Sequence, residues 1–339
     1  MLLDTLKKKN TNYTPIWFMR QSGRHLQKYK LLRRSESNFI NFCLNKNSII
    51  KATLLPLEYY PLDAAILFSD ILLVPWVLGQ EVSFIENIGP VLTPIESNKK
   101  FLSNSFNTAK IQNIGDAIKL IKKQLKNNIN LIGFSGAPWT LCCYMIEGGT
   151  SKNFEKIRKL LWFDEKLFLQ IFDKIIYSVV EFLEYQAKAG CEILMIFDTW
   201  CHMIPTDYWS KLAINPIKQI ISELRVRNVK CPIIGFPFKG GEKTIQYSYE
   251  TGVDVVSLDW TVDIKWMCKN LNPEVAVQGN LDPMLLTNYN EKIMIKTLDN
   301  ILEAMEKKVH IFNLGHGITP EAKMKIVKKL ITTVREKSK

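Results

Sequence analysis

Two arginines near the start of the chain, Arg20 and Arg24, follow an apolar run and enclose a glycine. The run is Pro15-Ile16-Trp17-Phe18-Met19, and Gln21-Ser22-Gly23 separates the arginines. A guanidinium is a planar group that binds a carboxylate or a phosphate through two parallel hydrogen bonds. The pattern therefore fits a site for a polyanionic small molecule, and it fits equally well two arginines in a solvent-exposed loop.

Asp70 is an acid embedded in apolar sequence, because Ile66-Leu67-Phe68-Ser69 precede it and Ile71-Leu72-Leu73-Val74 follow it. A buried carboxylate loses its hydration, so it needs hydrogen-bonding or charged partners. Those partners come either from the protein, as in a helix cap or an ion pair, or from a ligand. The residue pattern leaves both interpretations open.

His316 lies between Gly315 and Gly317, whose missing side chains allow a ligand to approach the backbone closely. It is the strongest ligand-binding candidate among the four histidines, although a histidine that caps a turn has the same pattern. Tyr144 and Thr199 are weaker candidates. A core tyrosine with a satisfied hydroxyl and a helix N-cap, respectively, explain them as well.

The elements that must position these side chains are visible as eight apolar runs of strand length, separated by segments with helical periodicity. The runs are Ile16–Met19, Ala64–Phe68, Leu131–Phe134, Ile193–Phe197, Pro232–Phe236, Val253–Leu258, Val275–Val277 and Val309–Phe312. The candidate helices include Asp116–Lys126, Glu165–Ala189, Ile214–Arg227, Glu291–Lys307 and Pro320–Glu336. This alternation predicts an α/β fold, a single (β/α)8 barrel of the TIM type that spans residues 1–339 as one domain. An open doubly wound sheet is the alternative, and no Gly-x-Gly-x-x-Gly or phosphate-loop lysine motif supports it.

In a barrel of this kind the active site lies at the carboxyl ends of the strands, where this chain carries most of its candidate residues. Asp198, Asp259 and Asp282 also follow predicted strands. They are a conceivable metal cluster, but each is adjacent to turn or helix-start signals, so we expect caps and loop ties instead. The segment from Lys28 to Ile50 departs from a simple barrel, and we expect it to cover the mouth.

The composition is that of a globular protein, with 47% hydrophobic and 23% charged residues. The net charge of +12 arises from dispersed lysines without a basic block interleaved with aromatics, so we expect no nucleic-acid or membrane partner. Seven cysteines without zinc-site spacing predict free thiols and no metal. The start of the chain lacks the apolar core of a signal peptide, and the apolar stretch from Ala64 to Leu78 is too short to span a bilayer. We expect a cytoplasmic protein.

Six stretches, distributed over nearly the whole chain, carry a family resemblance. They are Pro15 to Arg24, Leu67-Phe68-Ser69-Asp70-Ile71-Leu72, Gly133-Phe134-Ser135-Gly136-Ala137-Pro138-Trp139-Thr140-Leu141, Ser257-Leu258-Asp259-Trp260-Thr261, Gln278-Gly279-Asn280-Leu281-Asp282-Pro283 and Asn313-Leu314-Gly315-His316-Gly317. Together they resemble, in the same order, segments of the uroporphyrinogen decarboxylase family, with Ser22 in place of a usual alanine.

The resemblance implies a carboxy-lyase without metal or organic cofactor that converts the four acetates of uroporphyrinogen to methyl groups and yields coproporphyrinogen for haem synthesis. It implies that Asp70 receives the pyrrole N–H groups and stabilises positive charge on the macrocycle. Arg20 is favoured as the proton source in the family, although a guanidinium is a poor acid. Binding of the substrate is implied for Arg20, Gln21, Ser22, Gly23, Arg24, Asp70, Tyr144, Thr199 and His316. The family habit also implies a homodimer.

The chain departs from the family pattern at His25, Gln27, Glu36-Ser37 and Glu58-Tyr59, so the details of the lid and of the approach to the site stay open. One alternative function is that of a zinc-dependent methylcobamide methyltransferase of the same superfamily. That class carries a His-x-Cys motif where this chain has Gly235-Phe236-Pro237-Phe238. A tetrapyrrole carrier without catalysis is the other alternative. Isomer preference, the order of decarboxylation and the proton donor are not determined by the sequence.

Overall fold

The computed structural model describes residues 1–7, 13–95 and 99–338. Within these ranges the strands are β1 Ala64–Ile66, β2 Val82–Ile85, β3 Gly89–Leu92, β4 Asn130–Gly136, β5 Ile193–Asp198, β6 Ile233–Pro237, β7 Val255–Ser257, β8 Ala276–Leu281 and β9 His310–Leu314. The helices are α1 Leu2–Leu6, α2 Gln27–Arg34, α3 Phe39–Leu44, α4 Lys46–Tyr59, α5 Leu73–Val77, α6 Lys99–Ser103, α7 Gln112–Gln124, α8 Pro138–Glu147, α9 Glu155–Phe163, α10 Glu165–Ala189, α11 Asn215–Val226, α12 Lys243–Glu250, α13 Ile264–Asn270, α14 Glu291–Met305 and α15 Met324–Lys337.

Among the described residues, seven parallel strands form one curled sheet in the order β1-β4-β5-β6-β7-β8-β9. Each strand of this sheet falls on a predicted run, with bounds shifted by at most four residues. Both faces of a parallel sheet are covered, so its strands are continuous apolar runs that sequence inspection finds readily. The antiparallel hairpin of β2 and β3 was not predicted, and it follows the buried helix α5.

The predicted strand Ile16–Met19 is wrong in extent, because only Ile16 forms a bridge, which is parallel to Phe312 of β9. The Phe312 N–H donates to the Pro15 carbonyl at 2.9 Å, and on the opposite side the Asp63 N–H donates to the Ile16 carbonyl at 2.9 Å. A turn begins at Met19, and Arg20 has a φ of 57°. An extended strand cannot pass through such a left-handed residue. The segment thus lies between the two edge strands, β9 and β1.

The helix over Glu165–Ala189 is confirmed at both ends. Asp164 Oδ1 accepts the Leu167 N–H at 3.1 Å as an N-cap, and Gly190 ends the helix with a φ of 128° that an L side chain rarely adopts. The other predicted helices exist with ends moved by at most four residues. Such small shifts at helix ends reflect capping and fraying rather than a different fold.

Side chains alternate across the sheet and divide the core into two layers. On β5, Ile193 and Met195 point to the inner cluster, whereas Leu194 and Ile196 pack under the helices. The inner cluster contains Ala64 from one edge strand and Ile311 from the other. Since residues from both edges share one cluster, the sheet curls around it. Each fully buried aliphatic or aromatic side chain stabilises the fold by about 1.5–3 kcal/mol.

The expected lid, Lys28 to Ile50, is largely helical and comprises α2, α3 and the start of α4. Its aromatic side chains pack on Phe68, which follows β1: Phe42 lies 5.1 Å and Tyr29 lies 5.8 Å from the Phe68 ring centre. The segment is therefore anchored two residues before Asp70. In the described part of the chain, no helix is long and apolar enough to cross a membrane.

Candidate active site

The opening turn presents Arg20 at the carboxyl end of the sheet. Its backbone is left-handed, and its exposed side chain lies against Gly317, where any Cβ would clash with it. The Ile318 N–H donates to the Met19 carbonyl at 2.9 Å, which fixes the turn to the segment after β9. Gly317 is thus needed because the arginine passes directly over its backbone.

The residues that follow Arg20 have different surroundings. The Gln21 side chain is buried, donates to the Ala64 carbonyl at 3.2 Å and accepts the Phe18 N–H at 3.2 Å, so it ties the turn to β1. The Ser22 hydroxyl is buried and finds no hydrogen-bond partner within the described ranges. Gly23 closes the turn by accepting the Leu26 N–H at 3.0 Å.

Arg24 is exposed and shortly precedes α2, the first helix of the lid. Burial raises the pKa of Tyr29 in the lid to about 12; the charge of Arg24 opposes that rise, and the charge of Asp70 adds to it. Both charged groups therefore lie within electrostatic reach of one lid tyrosine.

Asp70 lies just beyond β1, at the half-buried start of a turn. Its Oδ1 accepts the Leu72 N–H at 2.8 Å, so the structural role left open by the sequence is present. Burial raises the pKa of Asp70 to about 6, while the hydrogen bond from Leu72 and the charge of Arg20 oppose the rise. The carboxylate thus ionises near neutral pH beside a guanidinium.

Tyr144 and Thr199 border the site from neighbouring strands. Tyr144 is on α8, after β4, and its ring lies 6.1 Å from that of Trp200. Burial raises the pKa of Tyr144, and the charges of Asp70 and Arg20 act on it in opposite directions. Thr199 is half-buried and directly follows β5, next to Trp200. Tyr144 is therefore electrostatically coupled to Asp70 and Arg20, whereas Thr199 is placed near it through Trp200.

His316 packs among aromatic rings at the mouth. Its ring centre lies 4.7 Å from that of Phe238 and 6.3 Å from that of Trp260. Burial lowers the pKa of His316 to about 4, and the charges of Arg20 and Lys239 lower it further. The imidazole is consequently neutral at physiological pH, when one ring nitrogen donates and the other accepts.

The structure therefore brings Arg20, Asp70, Tyr144 and His316 to one end of the sheet, with Arg24 on the lid side. It does not turn the Gln21 side chain toward them. Sequence analysis missed Lys239, which stands two residues after β6 and acts electrostatically on His316. The sequence does show that Lys239 follows a predicted strand, which could have made it a candidate. It does not show the left-handed backbone conformation of this residue.

The three further acids behave as the expected ties. Asp282 Oδ1 accepts the Met284 N–H at 2.9 Å, and Asp259 accepts the N–H groups of Thr261 and Lys239 at 2.8 and 2.9 Å. Asp198 is buried and accepts the Thr140 hydroxyl at 2.6 Å, and burial raises its pKa to about 7. In the ranges that the structure covers, no group of His, Cys, Asp or Glu side chains is arranged to hold a metal ion.

The family departures lie around the lid. His25 is buried and stacked on Tyr60, and burial lowers the pKa of His25 to about 4. Gln27 begins α2, and the Glu36 backbone carbonyl accepts a hydrogen bond from the Arg33 guanidinium. Glu58 pairs with Lys28 at 2.7 Å on the exposed surface. An exposed pair of this kind stabilises little, so Glu58 changes mainly the local charge.

The sequence model of the family described as uroporphyrinogen decarboxylase matches residues 1–337. The chain belongs to the uroporphyrinogen decarboxylase family. The protein named uroporphyrinogen decarboxylase from Rickettsia africae is 40% identical over 329 residues, which are 97% of this chain and 94% of that relative. The protein of the same name from Maricaulis maris is 36% identical over 338 residues, 99% of this chain and 98% of the relative.

Two solved structures resemble the fold of this family member. A methyltransferase from Methanosarcina mazei has a TM-score of 0.77 at 17% identity and covers 99% of this chain and 97% of its own. A B12-independent methionine synthase from Shewanella sp. W3-18-1 has a TM-score of 0.55 at 14% identity, with 86% of this chain and 89% of its own covered. At these identities the likeness concerns the curled α/β fold alone.

Proposed function

We propose that this protein decarboxylates uroporphyrinogen III, removing its four acetate carboxyl groups as carbon dioxide and giving coproporphyrinogen III for porphyrin and haem synthesis. The observation that carries the proposal is the half-buried Asp70 carboxylate beside Arg20, with Tyr144 and His316 at the same end of the sheet. Relatives at 36–40% identity that bear the decarboxylase name support it.

The charge pattern of the site suits this substrate. Uroporphyrinogen carries eight carboxylates on the rim of a ring whose centre presents four pyrrole N–H donors. Arg20 and Arg24 would bind carboxylates, and the Asp70 carboxylate would accept the N–H groups. Tyr144, Thr199 and the neutral His316 would supply hydrogen bonds, with Ser22 and Gly23 forming the wall of the turn. The Gln21 side chain would act only by holding that turn.

Decarboxylation requires an acceptor for the electron pair of the carbon–carbon bond that breaks. A proton added to a pyrrole α-carbon makes that ring cationic. The bond between the acetate methylene and its carboxylate then breaks, its electron pair enters the ring, and carbon dioxide leaves. Protonation of the methylene and loss of the α-proton restore the pyrrole, so the net change is one carboxylate and one proton converted to a methyl group and carbon dioxide.

Asp70 would act electrostatically in this sequence. With a pKa of about 6, roughly nine-tenths of the carboxylate is ionised at pH 7. A negative charge close to the macrocycle stabilises the cationic ring in a site from which much water is excluded. Arg20 would contact the reacting acetate, and the identity of the acid that delivers the first proton stays open.

The finer architecture belongs to the same proposal. The hydrogen bonds from the Pro15–Ile16 segment to both β9 and β1 support its role as the eighth strand of a closed (β/α)8 barrel. The family match over residues 1–337 supports a single domain. We further propose a cytoplasmic homodimer, without nucleic-acid or membrane partner and without metal or organic cofactor.

The decisive experiment is an anaerobic incubation of purified protein with uroporphyrinogen III in the presence of a chelator, followed by mass analysis of the products. Stepwise loss of four carbon dioxide units is expected. Binding without mass loss would establish the carrier alternative. Turnover that appears only after zinc is restored would contradict a cofactor-free lyase.

A further inference from the structure

We propose that Lys239 is a third cationic residue of the substrate site and binds a carboxylate of the macrocycle close to His316. The inference rests on the proposed function, since it assumes a ligand with several carboxylates. It does not draw on the six stretches that carry the family resemblance, none of which includes this residue.

The backbone at Lys239 is unusual. Its φ is 58°, and the other described non-glycine residues with positive φ are Arg20, Asn87, Phe154 and Asn228. Asparagine tolerates this region, whereas other L residues lose about 1–2 kcal/mol there. Two of the five are therefore cations, and both stand at the carboxyl end of the sheet.

This conformation is held by buried groups. The Lys239 N–H donates to Asp259 Oδ2 at 2.9 Å, and Asp259 Oδ1 is fixed in turn by the Thr261 N–H at 2.8 Å. Asp259 is only 3% exposed, so it cannot relax readily. The Gly240 N–H donates to the Pro237 carbonyl at 3.0 Å and completes the turn. The buried Asp259 carboxylate thus stabilises a backbone conformation that is otherwise disfavoured for lysine.

The side chain lies at the mouth. Lys239 Nζ is 5.5 Å from the centre of the Phe238 ring, which also lies 4.7 Å from the ring of His316, 5.5 Å from that of Trp260 and 5.6 Å from that of Phe236. The charge of Lys239 also lowers the pKa values of both His316 and His202, after the larger effect of burial. In the described part of the chain, Lys239 forms no ion pair.

An exposed lysine without a partner is usually just solvated. Solvation does not require a left-handed backbone fixed by a buried aspartate, and glycine would occupy this turn at lower free energy. Arg20 has the same two properties, a left-handed backbone and a side chain against the His316 loop. Two cations therefore lie within electrostatic reach of a neutral histidine, which matches a ligand that carries carboxylates around its rim.

The test compares Lys239→Met, Lys239→Arg and Lys239→Gly with a matched control, Lys218→Met, on the exposed face of α11. With uroporphyrinogen III, Lys239→Met should raise KM roughly tenfold, since one charge-assisted hydrogen bond is lost. Lys239→Arg should restore most of the affinity. Lys239→Gly should show the same KM defect but an equal or higher melting temperature, because glycine removes the backbone strain. Lys218→Met should behave as the wild type.

A merely structural role would produce a different pattern, in which Lys239→Gly retains the wild-type KM. A KM for Lys239→Met within twofold of wild type would overturn the inference while leaving the decarboxylase proposal intact. If the wild type itself released no carbon dioxide, the function proposal would fail. Fluorescence titration with oxidised uroporphyrin, which has the same eight carboxylates, would then decide whether Lys239 binds such a ligand.

Discussion

Asp63 and Asp70 stand at opposite ends of the same strand, β1, in different surroundings. Asp63, before the strand, accepts the Ile16 N–H at 2.8 Å and the Tyr13 hydroxyl at 3.0 Å, and it pairs with Arg335 at 3.2 Å. Asp70, beyond the strand, accepts one backbone N–H from the residues that the structure describes. The acceptor sites of Asp63 are thus filled by the protein, whereas Asp70 keeps acceptor sites that a ligand can use.

The same contrast extends around the sheet. Acids that immediately precede three strands each accept a backbone N–H from a neighbouring segment and pair with a cation: Asp63 with Arg335, Glu192 with Lys122 at 2.6 Å, and Asp254 with Arg225 at 3.2 Å. At the carboxyl ends, Arg20 and Lys239 form no ion pair within the described ranges. Charged side chains thus stabilise the fold at the amino-terminal ends of the strands, whereas at the carboxyl ends Arg20 and Lys239 stay available for a ligand.

The largest expected effect is on catalysis. Asp70→Asn keeps the size of the side chain and an acceptor for Leu72 but removes the charge. Turnover should fall on the order of 10²–10³, the loss typical of an electrostatic stabiliser of a transition state. The melting temperature should not fall, because burial already disfavours the ionised form in the folded protein. The assay is turnover per folded molecule together with a melting curve on the same preparation.

Asp282→Asn is a matched control, because Asp282 Oδ1 accepts a backbone N–H two residues ahead in the same way, at 2.9 Å. This variant should retain wild-type turnover. If Asp70→Asn melted earlier while its folded fraction reacted almost normally, Asp70 would belong with the structural acids and the contrast between the two ends would disappear.

The next effect concerns stability. Asp63→Asn leaves the partly buried Arg335 without its counter-charge, while the Asp63 side chain is only 2% exposed. Removal of one partner from a pair of this kind should lower the free energy of unfolding by about 2–3 kcal/mol. A urea titration measures this loss, and kcat of the folded variant should stay near that of wild type. A stable variant with impaired turnover would reverse the assignment of the two aspartates.

Several acids occupy the same kind of position in the sequence, and only the structure shows that their roles differ. The acids at positions 70, 198, 259 and 282 all follow apolar runs, and the pattern placed them correctly at strand ends. Which of them keeps unfilled acceptor sites depends on backbone N–H groups contributed by turns, which periodicity does not encode. The hydrogen bond of the Gln21 side chain could not be predicted for the same reason, since its partner Ala64 is distant in sequence.

Backbone conformation was the other limit. Parallel strands are recoverable because two buried faces demand apolar residues. A lysine or arginine with a left-handed backbone conformation has no such sequence signature. The turn at Arg20 and the position of Lys239 could therefore not be predicted. The shortened first strand follows directly from that turn.

A smaller effect is expected at the lid side of the mouth. Arg24→Ala should weaken uroporphyrinogen binding roughly tenfold to hundredfold, because a charge-assisted hydrogen bond contributes about 1.5–3 kcal/mol. The exposed position of Arg24 predicts an unchanged melting temperature. A titration of the folded variant measures the affinity, and wild-type binding would mean that this arginine is solvated like an ordinary surface cation.

The smallest effect is expected from pH. Since burial raises the pKa of Asp70 from 3.8 to about 6, kcat/KM should fall about tenfold between pH 7 and pH 5 as the carboxylate is protonated. Stability should change in the opposite direction: the folded state binds this proton more tightly than the unfolded state, so the Asp70 contribution to stability decreases as pH rises from about 4 to about 6. Asp70→Asn should lack both trends, and an activity limb that persists in this variant would assign it to another group.

The way the opening segment is held has a consequence for biosynthesis. The Met19 N–H donates to the Asn313 side chain across 294 positions of the chain, and the Trp17 indole donates to Gln278 at 2.8 Å. The turn that carries Arg20 is thus synthesised long before the residues that hold it in place. At ~5–20 residues per second, the ribosome needs roughly 15–60 s to supply those residues. A nascent chain therefore contains the arginine well before it can position it, and the binding site forms only after the segment around Asn313 has been translated.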